Sequence, residues 1–288
     1  MSDSAFSLAS IPSAFYLSCC RVRPGERDAM QFGLFAKIIE DARENKDFVL
    51  ITVVDAHGST PGKTGFRMAA YADGTTHGTI GGGNLEHTAV QQAMALLKSG
   101  GPAFIRSFSM EKDFAMTCGG QIQLFFEPYS PWRLTIAGGG HVAQAIAPLA
   151  LSAGFVVDIL DDRPEIADLA WPAGVRVRIG DLPDLCANVT VGARHCALVM
   201  TYQHLRDAEA AAALLHHEFT YLGIIGSKKK ALGMRRSLLE SGADPARVEN
   251  LRTPVGVPIG AQTAAEIAVS VVAELIAVRA GMPLLPWM

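Results

Sequence analysis

Gly138-Gly139-Gly140-His141-Val142-Ala143 carries the spacing G-x-G-x-x-A between a short apolar run and a helical stretch. At a β-α turn of this kind Gly138 permits the sharp bend and Gly140 lets the backbone approach a pyrophosphate at the positive helix end, with His141 beside it. Ala143 allows close helix-strand packing. The next apolar run ends at Asp161-Asp162, about 20 residues on, the offset at which an acidic group meets ribose hydroxyls. Asp161 disfavours a 2′-phosphate, so the pattern points to NAD or a related adenine nucleotide rather than NADP. A Rossmann-like scaffold that has lost its ligand carries the same pattern.

Four further groups have chemical potential. Gly81-Gly82-Gly83-Asn84-Leu85-Glu86 leads into a helix whose first amides would hold an oxyanion; the alternative is a turn needing positive φ with Asn84 as its cap. His57-Gly58-Ser59-Thr60-Pro61 follows a buried strand, where Ser59 and Thr60 either face a ligand or satisfy the turn. Cys118-Gly119-Gly120 interrupts a strand pattern and leaves a thiol approachable, able to bind a soft metal or accept sulfur; a buried, inert cysteine is the other reading. Ser227-Lys228-Lys229-Lys230 puts positive charge at a helix start, which either meets phosphate or an acidic partner or is a solvated charge run.

These motifs need two frameworks. At 288 residues, 49% hydrophobic and 18% charged, the chain suits two compact α/β units. Residues 1–29 read as a loose extension. Helical spacing of Phe32, Leu34, Phe35, Ile38 and Ile39, the run Phe48 to Val54, a hairpin about Asp73-Gly74, a helix from Asn84 to Lys98 and strands near Phe104 to Phe108 and Gln121 to Glu127 predict a mixed α+β domain over 30–128. Pro128-Tyr129-Ser130-Pro131 marks the boundary. Beyond it, Leu134 to Ala137, Phe155 to Leu160, Val175 to Ile179, Ala197 to Thr201 and Tyr221 to Ile225 alternate with helices, predicting a Rossmann-like, doubly wound parallel sheet over 132–288. Thr263 to Glu266 is a capping box opening the last helix.

The composition also excludes. A net charge of −3 gives no broad basic surface for nucleic acid. No apolar run reaches the ~20 residues of a bilayer-spanning helix, so no membrane association is expected. Five cysteines without a C-x-x-C pair suggest neither a disulfide framework nor zinc, which fits a cytoplasmic setting; Cys186 and Cys196 read as core residues. The eight histidines form no H-E-x-x-H, and there is no G-x-S-x-G elbow or Walker lysine, so hydrolase and kinase readings fall away.

Taken together, Gly58-Ser59-Thr60-Pro61, Gly78 to Glu86, Cys118-Gly119-Gly120 with Glu127-Pro128, and Gly138 to Val142 resemble the xanthine dehydrogenase accessory protein family, XdhC/CoxI. Asp161-Asp162-Arg163-Pro164, Tyr221 to Ser227 and Pro258 to Thr263 extend the likeness, which runs from Met30 to the C-terminus. The resemblance implies a chaperone that binds molybdenum cofactor, shelters it while a cysteine desulfurase replaces an oxo ligand by sulfide, and hands it to a xanthine dehydrogenase-type apoenzyme. It implies no turnover of its own, and Cys118 as a thiol for molybdenum or sulfur. Where relatives commonly carry Arg after Gly-Ser-Thr-Pro, this chain has Gly62 and Lys63. The alternative is an NAD-dependent oxidoreductase acting on a small molecule. The Ala-rich last helix suggests a homodimer.

Overall fold

The structure is a computed structural model that describes residues 24–44, 46–114 and 119–284. The first domain opens with helix α1 (Pro24–Arg43), so residues 24–29 of the expected extension are helical, while the rest of it lies outside the described residues. Strands β1 (Phe48–Gly58), β2 (Arg67–Tyr71) and β3 (Thr76–Thr79) follow, then helix α2 (Gly83–Ser99), β4 (Phe104–Ser109), the short α3 (Met110–Phe114) and β5 (Gly120–Tyr129). The five strands form one antiparallel sheet ordered β3-β2-β1-β5-β4. The β2–β3 hairpin turns at Asp73-Gly74, where Gly74 has φ +83° and Asp73 accepts from the Thr75 amide and hydroxyl.

Alternation along the strands gives this sheet two apolar faces. Val49, Ile51, Val53, Ile122, Leu124 and Phe126 face α2 and meet its Leu85, Ala89, Ala93 and Leu96. Phe48, Leu50, Ala69 and Tyr71 face the other way and meet Leu34 of α1. Asp41 fixes that helix: buried at 1% exposure, it accepts from the Tyr71 hydroxyl at 2.5 Å and pairs with Lys37 at 3.0 Å and Lys46 at 3.3 Å. These donors, two of them cationic, compensate the burial of the carboxylate. β5 runs through Pro128 to Tyr129, and β6 begins at Arg133. Pro128 lies opposite Val49, beyond the last β4 pair at Phe104–Phe126, where β5 has a strand on one side alone.

The second domain contains β6 (Arg133–Ala137), α4 (His141–Ser152), β7 (Val156–Asp161), β8 (Val175–Ile179), α5 (Leu182–Ala187), β9 (His195–Val199), α6 (His204–Leu214), β10 (Tyr221–Ile224), α7 (Lys228–Glu240), α8 (Pro245–Glu249) and α9 (Ala264–Arg279). Its sheet is entirely parallel, ordered β10-β9-β6-β7-β8, with the reversal of direction between β6 and β9. This is the doubly wound, Rossmann-like order, and its ligand crevice is expected at the carboxyl ends of β6 and β9. Helices α4 and α9 cover one face through Ile146, Ala147, Ala268, Val271 and Leu275. Cys186 of α5, Ala210 and Leu214 of α6 and Leu238 of α7 cover the other. Cys186 and Cys196 are both buried, and burial pushes each thiol up to about 12. Thr263 and Glu266 form the expected capping box at α9.

Two arginines tie the domains together. Arg133 grips Asp47 with two bonds, 2.9 and 2.7 Å, and Arg194 donates to the carbonyls of Ser130, Gly100 and Gly101. Both guanidiniums leave the Rossmann sheet and meet the first domain at the start of β1 and the end of α2.

Candidate functional site

The glycines of the first domain are where they are because three loops touch backbone to backbone. β1 ends opposite β5, with Gly58 paired to Gly120. A side chain at Gly58 would lie 2.8 Å from the Gly119 carbonyl, and one at Gly120 would overlap the Ser59 carbonyl. A side chain at Gly62 would overlap the Ile80 carbonyl, and one at Gly81 (φ +127°) would overlap Pro61 and Gly62. The segments 58–62, 79–83 and 119–120, which the sequence presents as separate motifs, therefore form one cluster at a single end of the sheet.

Glu86 holds this cluster from α2. Its Oε1 accepts from the Thr79 hydroxyl, from the Ile80 amide at 3.0 Å and from the Gly82 amide at 2.8 Å. The Thr79 hydroxyl also accepts from the Gly81 amide at 3.1 Å. Gly81, Gly82 and Glu86, expected to contact a ligand, are thus bonded to one another and to Thr79 within the loop, and the helix start from Gly83 onward is left to hold an anion. The helix also begins earlier than expected, capped by Gly82 (φ +84°) without a side-chain bond, so Asn84 is not the cap. A side chain at Gly82 or Gly83 would meet nothing within 4 Å, which leaves this edge open.

Ser59 is exposed at the rim, whereas the Thr60 hydroxyl donates to the Gly62 carbonyl at 2.9 Å and shapes the turn. The β1–β5 register shifts between Val53 and Asp55, and this bulge turns Asp55 and His57 away from the α2 core. Asp55 Oδ2 then sits 2.9 Å from His57 Nε2. The Asp55 partner escaped the sequence reading, because a bulge breaks the alternation from which facing is inferred. Cys118 lies outside the described residues.

In the second domain Gly138 follows β6 with φ +109°, and a side chain there would overlap the Met200 carbonyl. A side chain at Gly139 would overlap Ile166, yet one at Gly140 would meet nothing within 4 Å. Ala143 is buried and His141 exposed. The crevice floor is thus tight at the first two glycines and open at the third.

Asp161, the residue expected to meet ribose hydroxyls, is bonded within its own loop. Its carboxylate is 1% exposed and turned inward, accepting from the Gly139 amide at 2.6 Å, the Arg163 amide at 3.0 Å and the Arg163 guanidinium at 2.9 and 2.8 Å. Burial alone would raise its pKa, but the bonds from Arg163 and Gly139 outweigh that and hold it below the usual carboxylate range. The neighbouring Asp162 is bonded far less completely: Oδ2 has the Tyr202 hydroxyl and Arg206 Nε, each at 3.3 Å, and Oδ1 has no partner. Arg163 also lies 4.6 Å over the Tyr202 ring. Tyr202 follows β9, and the rule placing ligands beyond strand carboxyl ends could have singled it out. Ser227 caps α7 by accepting from the Lys230 amide at 3.4 Å, while the Lys228 side chain lies outside the described residues.

Comparison with known proteins follows the same division. Residues 134–275 match the family model described as the XdhC Rossmann domain, and residues 41–109 match that of the XdhC and CoxI family. The chain is 29% identical over 257 residues to uncharacterized protein YqeB of Escherichia coli (strain K12), covering 87% of this chain and 47% of that one. It is 30% identical over 148 residues to a Bacillus subtilis (strain 168) protein named as a probable xanthine dehydrogenase subunit, 51% of this chain and 43% of that one. It therefore spans about half the length of these two relatives. It is 24% identical over 274 residues to the molybdenum cofactor insertion chaperone PaoD of E. coli (strain K12), 84% of this chain and 86% of that one. A solved structure described as a xanthine dehydrogenase from Bacillus halodurans is 21% identical, with a TM-score of 0.47 over 86% of this chain and 96% of that one. The two family models fall on the two domains and together span most of the sequence, so the chain belongs to the XdhC and CoxI family.

Proposed function

We propose that this protein is an accessory factor for a xanthine dehydrogenase-type molybdoenzyme, carrying molybdenum cofactor as cargo and inserting it into the apoenzyme. The observation that carries the reading is the meeting of the three glycine motifs, 58–62, 79–83 and 119–120, in one open-edged cluster. The relative PaoD, matched along 84% of this chain, is named for that task. An open glycine edge beside an uncapped helix start suits a cargo that ends in phosphate and must be released intact. We assign to Cys118, adjacent in sequence to Gly119, the handling of molybdenum or sulfur while a cysteine desulfurase exchanges an oxo ligand for sulfide. In this reading the protein acts in the cytoplasm as a homodimer and does not turn over a metabolite.

The test is direct. Purified protein is incubated anaerobically with molybdenum cofactor released from a donor enzyme, gel-filtered, and assayed for co-eluting molybdenum and pterin beside Cys118→Ala. About one cofactor per chain in the wild type, with a lower molybdenum content in the variant, is the expected outcome. Absence of both from the wild-type peak would overturn the cargo reading.

A further inference from the structure

Helices α6 and α7 do not close against each other at their amino halves. Between them, beyond the carboxyl end of the edge strand β10, lies a cleft of about 460 Å³. Ile224 and Ile225 form its floor, Leu205 and Ala208 of α6 line one wall, and Lys230, Gly233, Met234 and Ser237 of α7 line the other. The α7 residues recur at i, i+3, i+4 and i+7, so a single stripe of that helix faces the cleft. Leu205 remains 68% exposed at the rim. The glycine loop after β6 contributes nothing to the lining.

Two features of α7 have no cause within the chain. Gly233 sits in the interior of the helix, where glycine is unfavourable relative to alanine, yet a side chain there would meet nothing within 4 Å. No neighbouring atom requires the glycine, and its bare backbone leaves room for something else to lie close against the helix. The second feature is charge. Arg236 pairs with Glu240 and Arg235 donates to the Leu251 carbonyl, but the exposed Lys229 and Lys230 have no anionic partner among the described residues. They stand in the first turn of α7, with no acidic residue beside them, where the helix dipole disfavours positive charge. Asp207, the carboxylate on the facing wall, accepts instead from the Thr201 amide and hydroxyl.

We propose that the cleft between α6 and α7 docks an acidic amphipathic helix of a partner protein. Its apolar side chains enter over Ile224, Ile225 and Met234, its backbone passes at Gly233, and its carboxylates meet Lys229 and Lys230. An apolar floor flanked by charge of one sign is a helix-in-groove arrangement, in which apolar anchors supply affinity and the rim charges choose the partner. A second copy of α7 would set lysine against lysine, and a membrane surface would not enter a concave cleft between two helices. This goes beyond the cargo reading and stands without it.

The probe is a fluorescein-labelled peptide of about 14 residues, with leucines at i, i+3, i+4 and i+7 and glutamates between them, titrated with the full chain and followed by anisotropy. A second peptide carries lysines in place of the glutamates. The acidic peptide is expected to saturate, to bind about tenfold or more tightly than the basic one, and to weaken as salt is raised. Gly233→Leu should weaken it about tenfold or more while the unfolding midpoint stays at or above that of the wild type, because leucine favours a helix and its Cβ meets no atom. Lys229→Glu combined with Lys230→Glu should weaken the acidic peptide and strengthen the basic one. No saturation by about 1 mM acidic peptide, equal affinity for the two peptides, or unaltered binding in Gly233→Leu would overturn the proposal. So would self-association in sedimentation that Gly233→Leu abolishes, which makes a second copy the occupant, or binding to phosphatidylglycerol vesicles that the lysine reversal abolishes, which makes it a membrane. In the cofactor-retention assay Gly233→Leu should hold as much molybdenum as the wild type, and loss in that variant alone would place cargo in the cleft and overturn docking there. Absence of cofactor from the wild type would overturn the cargo reading and leave the peptide result standing.

Discussion

One carboxylate oxygen organises the loop between β3 and α2. Glu86 Oε1 takes three donors, from Thr79, Ile80 and Gly82, so its removal strands two backbone amides and a hydroxyl in a partly buried place. Glu86→Ala is expected to destabilise the first domain by about 2–3 kcal/mol, the effect of leaving such donors unpaired. Glu86→Gln keeps an acceptor oxygen at the same position and should lose about 1 kcal/mol. Urea unfolding of both variants checks this, and equal midpoints for Ala and Gln would show that the oxygen is not the anchor. The cargo assay should follow the same order, because the loop the carboxylate holds is part of the cluster. The sequence presents Glu86 as a ligand contact because it follows three glycines, and Asp161 as a ribose acceptor because of its offset from Gly138; neither spacing tells whether the donors come from a ligand or from the loop itself.

At the level of elements, the turn from β6 into α4 separates structural glycines from an open one. Gly138→Ala forces a side chain into the Met200 carbonyl at a positive φ and is expected to cost about 3 kcal/mol or more. Gly140 has φ −69° and room for a side chain, so Gly140→Ala should stay within about 1 kcal/mol of wild type. Urea unfolding of the two variants decides; equal losses at Gly138 and Gly140 would show that the difference in free space does not set the cost. The alternation of short β-branched runs with helices made the parallel sheet readable, since its inner strands are mostly apolar. The hairpin at Asp73-Gly74 and the Thr263 capping box were readable because their signals lie within four residues. Convergence of the 58–62, 79–83 and 119–120 segments was not, because it depends on strand order β2-β1-β5, which local patterns do not encode. The bulge before Asp55 was hidden for the same reason, being a property of the β1–β5 pair.

At the scale of the whole molecule, the seam where the two domains meet holds a buried histidine, from which acid sensitivity is expected. His195 opens β9 opposite Arg133, whose guanidinium crosses to Asp47 in the first domain, and Arg194 beside it holds Gly100 and Gly101. The imidazole is 2% exposed, bonded through Nε2 to Thr135 at 2.9 Å and set edge-on to Phe219. Burial, reinforced by the Arg133 charge and opposed by Asp158 and Asp47, lowers its pKa from 6.5 to about 4. The folded state therefore prefers neutral imidazole more strongly than the unfolded chain does. That stability is fully present above pH 6.5, declines as pH falls, and is lost below about 4, an effect of about 3 kcal/mol across the window. Carboxylates titrate over part of the same range, so the measurement is a difference. Urea midpoints of wild type and His195→Gln are compared at neutral pH and at pH near 4.5, with the variant expected to be weaker at neutral pH and to lose less on acidification. Parallel pH profiles would sink the idea. Because Arg133 both faces His195 and grips Asp47, a proton gained at His195 places a second positive charge beside the residue that joins the domains. Acid should then loosen the seam before either core, seen as earlier hydrogen exchange at residues 100–101 and 192–195 than at the central strands β1 and β6.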